Sequence, residues 1–135
     1  MILVDTNGFF ALADRDDLHH REATELLEAA PRRGATLLTH KHVVVETLAL
    51  MRRRLGMGVA RGFLRDLENV VVEWVDRGLH EAGIRRFRSA GRRLSLVDCV
   101  SLELARRNSV RAFIGFDPDF EAAGLLPYRP PRAGE

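Results

Sequence analysis

Met1-Ile2-Leu3-Val4-Asp5-Thr6-Asn7 begins as an unbroken apolar run and stops at a carboxylate. Four apolar residues followed by a turn signal read as a short buried strand, Met1 to Val4. Asp, Thr and Asn all cap helices well, so Asp5-Thr6-Asn7 reads as the turn into a helical pattern over about Gly8 to Ala13. A strand that feeds directly into a helix is the pattern on which the fold turns.

The pattern repeats outward from there. A second helical stretch runs from about His20 to Ala30, up to Pro31. Ala35 to Leu38 reads as a strand, with Thr39 as the cap of a helix that runs through Glu46. In that helix Val45, Leu48, Met51 and Leu55 have the spacing of a core-facing stripe. Gly56 and Gly58 interrupt, Val59 to Leu67 is helical, and Val70-Val71-Val72 with Trp74 and Val75 gives the strongest strand signal. Helices follow at about Leu79 to Ala90 and Leu96 to Arg107, then a strand at Ala112 to Ile114. Pro118 to Ala122 reads as a helical turn and Leu125-Leu126 as a last short strand. Alternating strands and helices predict an α/β sandwich around a mostly parallel sheet. One domain is expected over residues 1–127, with a frayed Pro- and Gly-rich tail over 128–135.

The bulk composition fits a soluble domain. The chain has 135 residues, 46% hydrophobic and 30% charged, enough to bury a core without staples. No apolar run reaches the ~20 residues of a membrane span, and no signal peptide is visible. Cys99 is the single cysteine, so the expectation is a reducing cytoplasm and a small buried apolar side chain. Net charge is only +2, yet arginine clusters stand out at Arg52-Arg53-Arg54, at Arg85 to Arg93 and at Arg106-Arg107; Lys41 is the single lysine. Arginine forks onto phosphate and stacks on bases, so Arg52, Arg53, Arg92 and Arg93 are candidate RNA contacts, against a reading as solvated helix faces.

Acidic residues carry the functional signal. Asp5 and Asp117 both follow strands, and ligands of open parallel sheets bind beyond the carboxyl ends of the strands. Each acid has a structural reading too. Asp5 can be a helix cap. Asp98, three residues after Ser95, can complete a capping box. Asp117-Pro118-Asp119 can be a turn into a helix, although one aspartate would suffice as its cap. Glu46, in Val43-Val44-Val45-Glu46-Thr47-Leu48, has mostly apolar neighbours, where a carboxylate needs a partner or a metal; alternatively it projects from the helix edge to an arginine such as Arg53. Convergence of these carboxylates would need a divalent cation to neutralise them. Hard cations prefer this oxygen-only donor set, whereas no His/Cys spacing suits zinc. His19 and His20 read as structural, as do Trp74 and most phenylalanines, which are expected in the core.

The ordered set Val4-Asp5-Thr6-Asn7, Val45-Glu46-Thr47-Leu48, Leu94-Ser95-Leu96-Val97-Asp98-Cys99 and Phe116-Asp117-Pro118-Asp119-Phe120 resembles the PIN-domain family, in particular its VapC-type toxin ribonucleases. The resemblance spans Ile2 to about Leu126. It implies a PIN-like α/β/α sandwich and a Mg²⁺- or Mn²⁺-dependent endoribonuclease. It implies Asp5 and Asp98 as principal metal ligands, Glu46 and Asp117 or Asp119 completing the cluster, and Thr6 and Asn7 orienting a ligand or water. Which of Asp117 and Asp119 lies closer stays open. It further implies an RNA substrate, a small cognate antitoxin covering the acidic site, and a homodimer. One departure is Gly115, where the family commonly carries a threonine or serine.

Rival readings fit less well. A phosphatase opening with Asp-x-Asp would need a second aspartate where Asn7 stands, and a receiver-like domain would need a late lysine. A catalytically degenerate PIN module that binds RNA or a protein without cleaving is the non-enzymatic alternative, favoured only by Gly115.

Overall fold

A computed structural model describes residues 1–91, 93–132 and 134. Its strands are β1 (Ile2–Val4), β2 (Leu37–His40), β3 (Val71–Glu73), β4 (Ala112–Ile114) and β5 (Leu126–Pro127). They form one sheet in the order β3-β2-β1-β4-β5, and every pairing is parallel. The helices are α1 (Thr6–Ala13), α2 (His20–Arg32), α3 (Lys41–Leu55), α4 (Met57–Asp66), α5 (Arg77–Ser89), α6 (Leu96–Arg107) and α7 (Pro118–Ala122).

Side-chain alternation along the strands builds two cores. Ile2, Val4, Leu37 and Ile114 point to one face, where Phe9, Phe10, Val43, Met51 and Phe63 of α1, α3 and α4 cover them. Leu3, Leu38 and Phe113 point to the other, under Leu79, Val100, Leu104 and Phe120 of α5, α6 and α7. A parallel strand covered on both faces needs apolar residues at every position, which is why Ile2-Leu3-Val4 does not alternate with polar residues. The architecture is the α/β/α sandwich that the sequence predicts.

Strand order also fixes where a ligand can enter. From β1 the chain moves outward to β2 and β3; from β4 it moves the other way, to β5. The reversal falls between β1 and β4, and a doubly wound sheet opens its crevice at such a point. Gly8 lets α1 close onto that junction: a Cβ there would stand 2.8 Å from the Ile114 carbonyl oxygen.

Three local expectations are corrected, and the open reading of Glu46 is resolved. Val45 is 67% exposed: Met51 of the expected stripe is buried and Leu48 and Leu55 pack against the core, but Val43, Val44 and Thr47 are buried in place of Val45. Trp74 is 76% exposed because β3 is an edge strand that ends at Glu73, leaving Trp74 beyond the last paired residue. The cap of α3 is His40, whose ring accepts from the Val43 N–H, whereas Thr39 is a buried strand residue donating to the Val4 carbonyl at 3.2 Å. Glu46 is exposed and not enclosed by its apolar neighbours. At the other end, the Tyr128 N–H donates to the Phe113 carbonyl at 2.8 Å. Of the tail, 133 and 135 lie outside the described residues.

Candidate active site

Asp5 stands where β1 gives way to α1, at the carboxyl edge of the central strand. Its backbone begins the helix, with its carbonyl accepting from the Gly8 and Phe9 N–H groups. Its side chain makes no capping bond. The residue is 4% exposed, and its Oδ1 is buried with no hydrogen-bond partner. Burial pushes the Asp5 carboxyl up to about 7; Asp98, Glu46 and Asp117 push the same way, against the Thr6 backbone N–H. A cap does not explain this carboxylate. An unpaired buried acid surrounded by other acids is the arrangement that a bound cation would balance.

Asp98 serves two purposes. Ser95 and Asp98 form a reciprocal capping box, the Asp98 N–H donating to the Ser95 hydroxyl and the Ser95 N–H to Asp98 Oδ2 at 3.0 Å. The cap reading is therefore correct, and it fixes the side chain at the start of α6. Burial also raises this carboxyl, Asp117 and Glu46 adding to the effect while the two Ser95 contacts oppose it.

Glu46 is reached from the facing helix. The Thr6 hydroxyl donates to Glu46 Oε1 at 2.9 Å, joining the first residue of α1 to α3. Its partner is thus Thr6; neither Arg53 nor another described arginine pairs with it. Asn7, next in line, accepts the Phe116 N–H at 3.1 Å and so holds the loop after β4 against α1. Asp117 caps α7 through the Asp119 N–H at 2.9 Å. Asp119 carries the one nearby cation among the described residues, Arg93 Nη1 at 3.9 Å from its Oδ1. Partial burial and Asp117 raise the Asp119 carboxyl, against the pull of Arg93.

Gly115 has a physical reason. A Cβ there would lie 2.9 Å from Asn7 Oδ1 and 3.2 Å from the Asp5 Cβ. The space that a threonine or serine would need is filled by Asn7, whose amide oxygen instead fixes the Phe116 backbone. His19 stacks flat on Phe116, the residue before Asp117, with ring centroids 4.1 Å apart and planes 4° apart.

Asp5, Glu46, Asp98 and Asp117 thus face one another closely enough for their charges to interact, with Asp119 attached through Asp117. Among the described residues no three such side chains are gathered tightly enough to hold an ion as they stand, so a cation would have to draw them inward. The donor set fits one: carboxylate oxygens suit a hard divalent ion, and Asp5 Oδ1 is an orphan acceptor at its centre. Arg52 and Arg53 are exposed in the last turn of α3, and Arg93 is 82% exposed beside Asp119. Arg92 lies outside the described residues. Sequence reasoning did not foresee the stacking of His19 on Phe116; a histidine between an acidic turn and a helix was the available signal.

The parallel α/β sandwich with an acidic crevice at its switch point is the frame of a metal-dependent site, and relatives in sequence and structure give the family. The sequence profile of the PIN domain matches residues 2–125. The 23S rRNA-specific endonuclease VapC20 of Mycobacterium tuberculosis, in strains CDC 1551 / Oshkosh and H37Rv, is 35% identical over 133 residues, covering 96% of this chain and 99% of its own. The crystal structure of M. tuberculosis VapC20, described as a sarcin–ricin loop cleaving toxin, superposes with a TM-score of 0.87 at 32% identity, covering 96% of this chain and all of that one. The chain belongs to the PIN-domain family and is of the VapC toxin type. PIN-domain nucleases are in general divalent-metal dependent. No helix among the described residues is long and apolar enough to cross a membrane.

Proposed function

We propose that this protein is an endoribonuclease, the toxin of a toxin–antitoxin pair, which hydrolyses RNA phosphodiester bonds at the Asp5–Glu46–Asp98–Asp117 crevice with Mg²⁺ or Mn²⁺. The observation that carries it is Asp5 Oδ1: buried, unpartnered, and ringed by three further carboxylates at the switch point of the sheet. The catalytic unit is the domain of residues 1–127.

Asp5 and Asp98 are assigned as the principal ligands, Asp117 or Asp119 as the third, and Glu46 at the open side. A divalent cation there supplies Lewis-acid stabilisation of the phosphoryl oxygens. The chain's own residues do the rest. Thr6 fixes Glu46 Oε1, and the carboxylate so held would accept a proton from the attacking water. Asn7 holds the Phe116 backbone, and with it the loop that carries Asp117. Arg93, beside Asp119, would draw a phosphate of the substrate towards an otherwise negative site.

The VapC20 relatives direct the substrate assignment to large-subunit ribosomal RNA, at the sarcin–ricin loop. A small antitoxin that lays a basic side chain into the crevice would neutralise the same carboxylates and inhibit; two copies of the toxin form the active dimer. Primer extension on 23S rRNA from ribosomes incubated with the protein and Mn²⁺ tests the assignment. A single cut within the loop is expected. Cuts elsewhere would overturn the substrate, and intact RNA would overturn the ribonuclease.

A further inference from the structure

Trp74 is a large apolar side chain left in water at the functional edge of the sheet. It follows directly after β3, whose carboxyl end lies beside that of β2 through the His40–Glu73 pairing. Two strand spacings, about 10 Å, separate the β3 end from β1 and Asp5. The Lys41 ammonium, at the first position of α3, stands 4.6 Å from the centre of the indole ring. Val45, one helical turn beyond Lys41, is 67% exposed and continues the apolar surface. On the adjoining face His42 meets His80 at 3.2 Å, and Glu46 is one turn further along that same face, so the patch runs into the acidic crevice.

Of the acids flanking Trp74 in sequence, Asp76 is engaged elsewhere. Asp76 caps α5 and takes both Arg107 nitrogens at 2.9 and 3.3 Å, and Glu73 also acts on Arg107. Lys41 enters no ion pair among the described residues, so its charge is available to an anion. The ammonium covers one face of the exposed indole, and the other face with the cation behind it is the equipment for an unpaired base and its phosphate.

We propose that Trp74 and Lys41 form a base-stacking subsite for the RNA strand, receiving a nucleotide next to the one whose phosphate is cut; the inference rests on the ribonuclease reading above. Stacking is available to every base, so the subsite adds affinity and holds the strand in register, while other contacts choose the sequence.

Trp74 is the single tryptophan, so intrinsic fluorescence reports on it alone. The Asp98→Asn protein is titrated with a single-stranded oligoribonucleotide, following tryptophan emission and the anisotropy of a terminal label together. Binding that quenches the emission is expected, weakened about fivefold or more by Trp74→Ala and largely restored by Trp74→Phe. Binding without quenching, or equal binding by Trp74→Ala, would overturn the subsite, as would failure of the oligonucleotide to bind. Emission that shifts with protein concentration before RNA is added would overturn it in favour of a second copy covering the ring. Wild-type cleavage, run in parallel, keeps the two readings apart: cutting without quenching removes only the subsite.

Discussion

Thr6 and Glu46, forty residues apart in sequence, are joined by a 2.9 Å hydrogen bond in which the threonine hydroxyl donates to the carboxylate. The bond crosses from the first residue of α1 to the second turn of α3 and aims an exposed carboxylate at the crevice. Removing such a support commonly lowers metal affinity or activity by about 10- to 100-fold. Thr6→Val should therefore reduce cleavage within that range while leaving the urea midpoint little changed. Cleavage rate against Mn²⁺ concentration checks it; an unchanged curve would reduce the bond to a packing detail.

Asp5 makes the metal-free protein sensitive to pH. Its folded carboxyl titrates at about 7, against an ordinary value of 3.8. The folded state therefore keeps a proton that the unfolded chain has released, and stability falls as pH rises through roughly 4 to 7. Above that window the whole cost is present. In EDTA at pH 8, Asp5→Asn should be more stable than wild type by on the order of 1–3 kcal/mol, after allowing for the buried amide. Mn²⁺ at pH 8 should raise the Tm of wild type and leave that of Asp5→Asn nearly unmoved; thermal melts with and without the ion decide it.

His40 imposes the opposite slope. Buried against Ser101 at 2.8 Å, it is pushed down to about 4, first by burial and then by His42. Between about 6.5 and 4 the unfolded chain binds the proton that the folded state refuses, so this residue lowers stability as pH falls. In the Asp5→Asn background its contribution isolates cleanly. Between pH 7 and pH 5 that variant should lose about 2 kcal/mol more than the Asp5→Asn/His40→Gln double variant. Urea titrations at the two pH values measure the difference.

Gly115→Ser restores the residue type common in the family, yet the packing argues against a gain. A Cβ at 2.9 Å from Asn7 Oδ1 must displace the amide that holds Phe116. The expected result is a loss of ~1–3 kcal/mol in stability with reduced cleavage. Increased activity in this variant would show that Asn7 yields freely and that the glycine is a defect.

Much of this was legible in the chain because the deciding signals are local. A four-residue apolar run ending at Asp5 locates the central strand and its functional end together, and Ser95 with Asp98 announces its own capping box. What stayed hidden depends on which neighbour covers a residue. Val45 has the spacing of a core position, but α3 buries Val43 and Val44 in its place. Trp74 has high strand propensity, but β3 sits at an edge and stops one residue short. Glu46 could be read along the sequence as enclosed by valines or as reaching to an arginine, whereas in space its partner is Thr6. Gly115 read as a missing hydroxyl until Asn7 was found occupying that space.

Cleavage of a sarcin–ricin stem-loop RNA by wild type, Asp5→Asn and Asp98→Asn, each in Mn²⁺ and in EDTA, tests the central claim most directly. The carboxylate crevice predicts cutting by wild type in Mn²⁺ alone, with both variants folded and inactive. Cutting that persists in EDTA, or in either variant at the wild-type rate, would place the chemistry elsewhere and contradict the account.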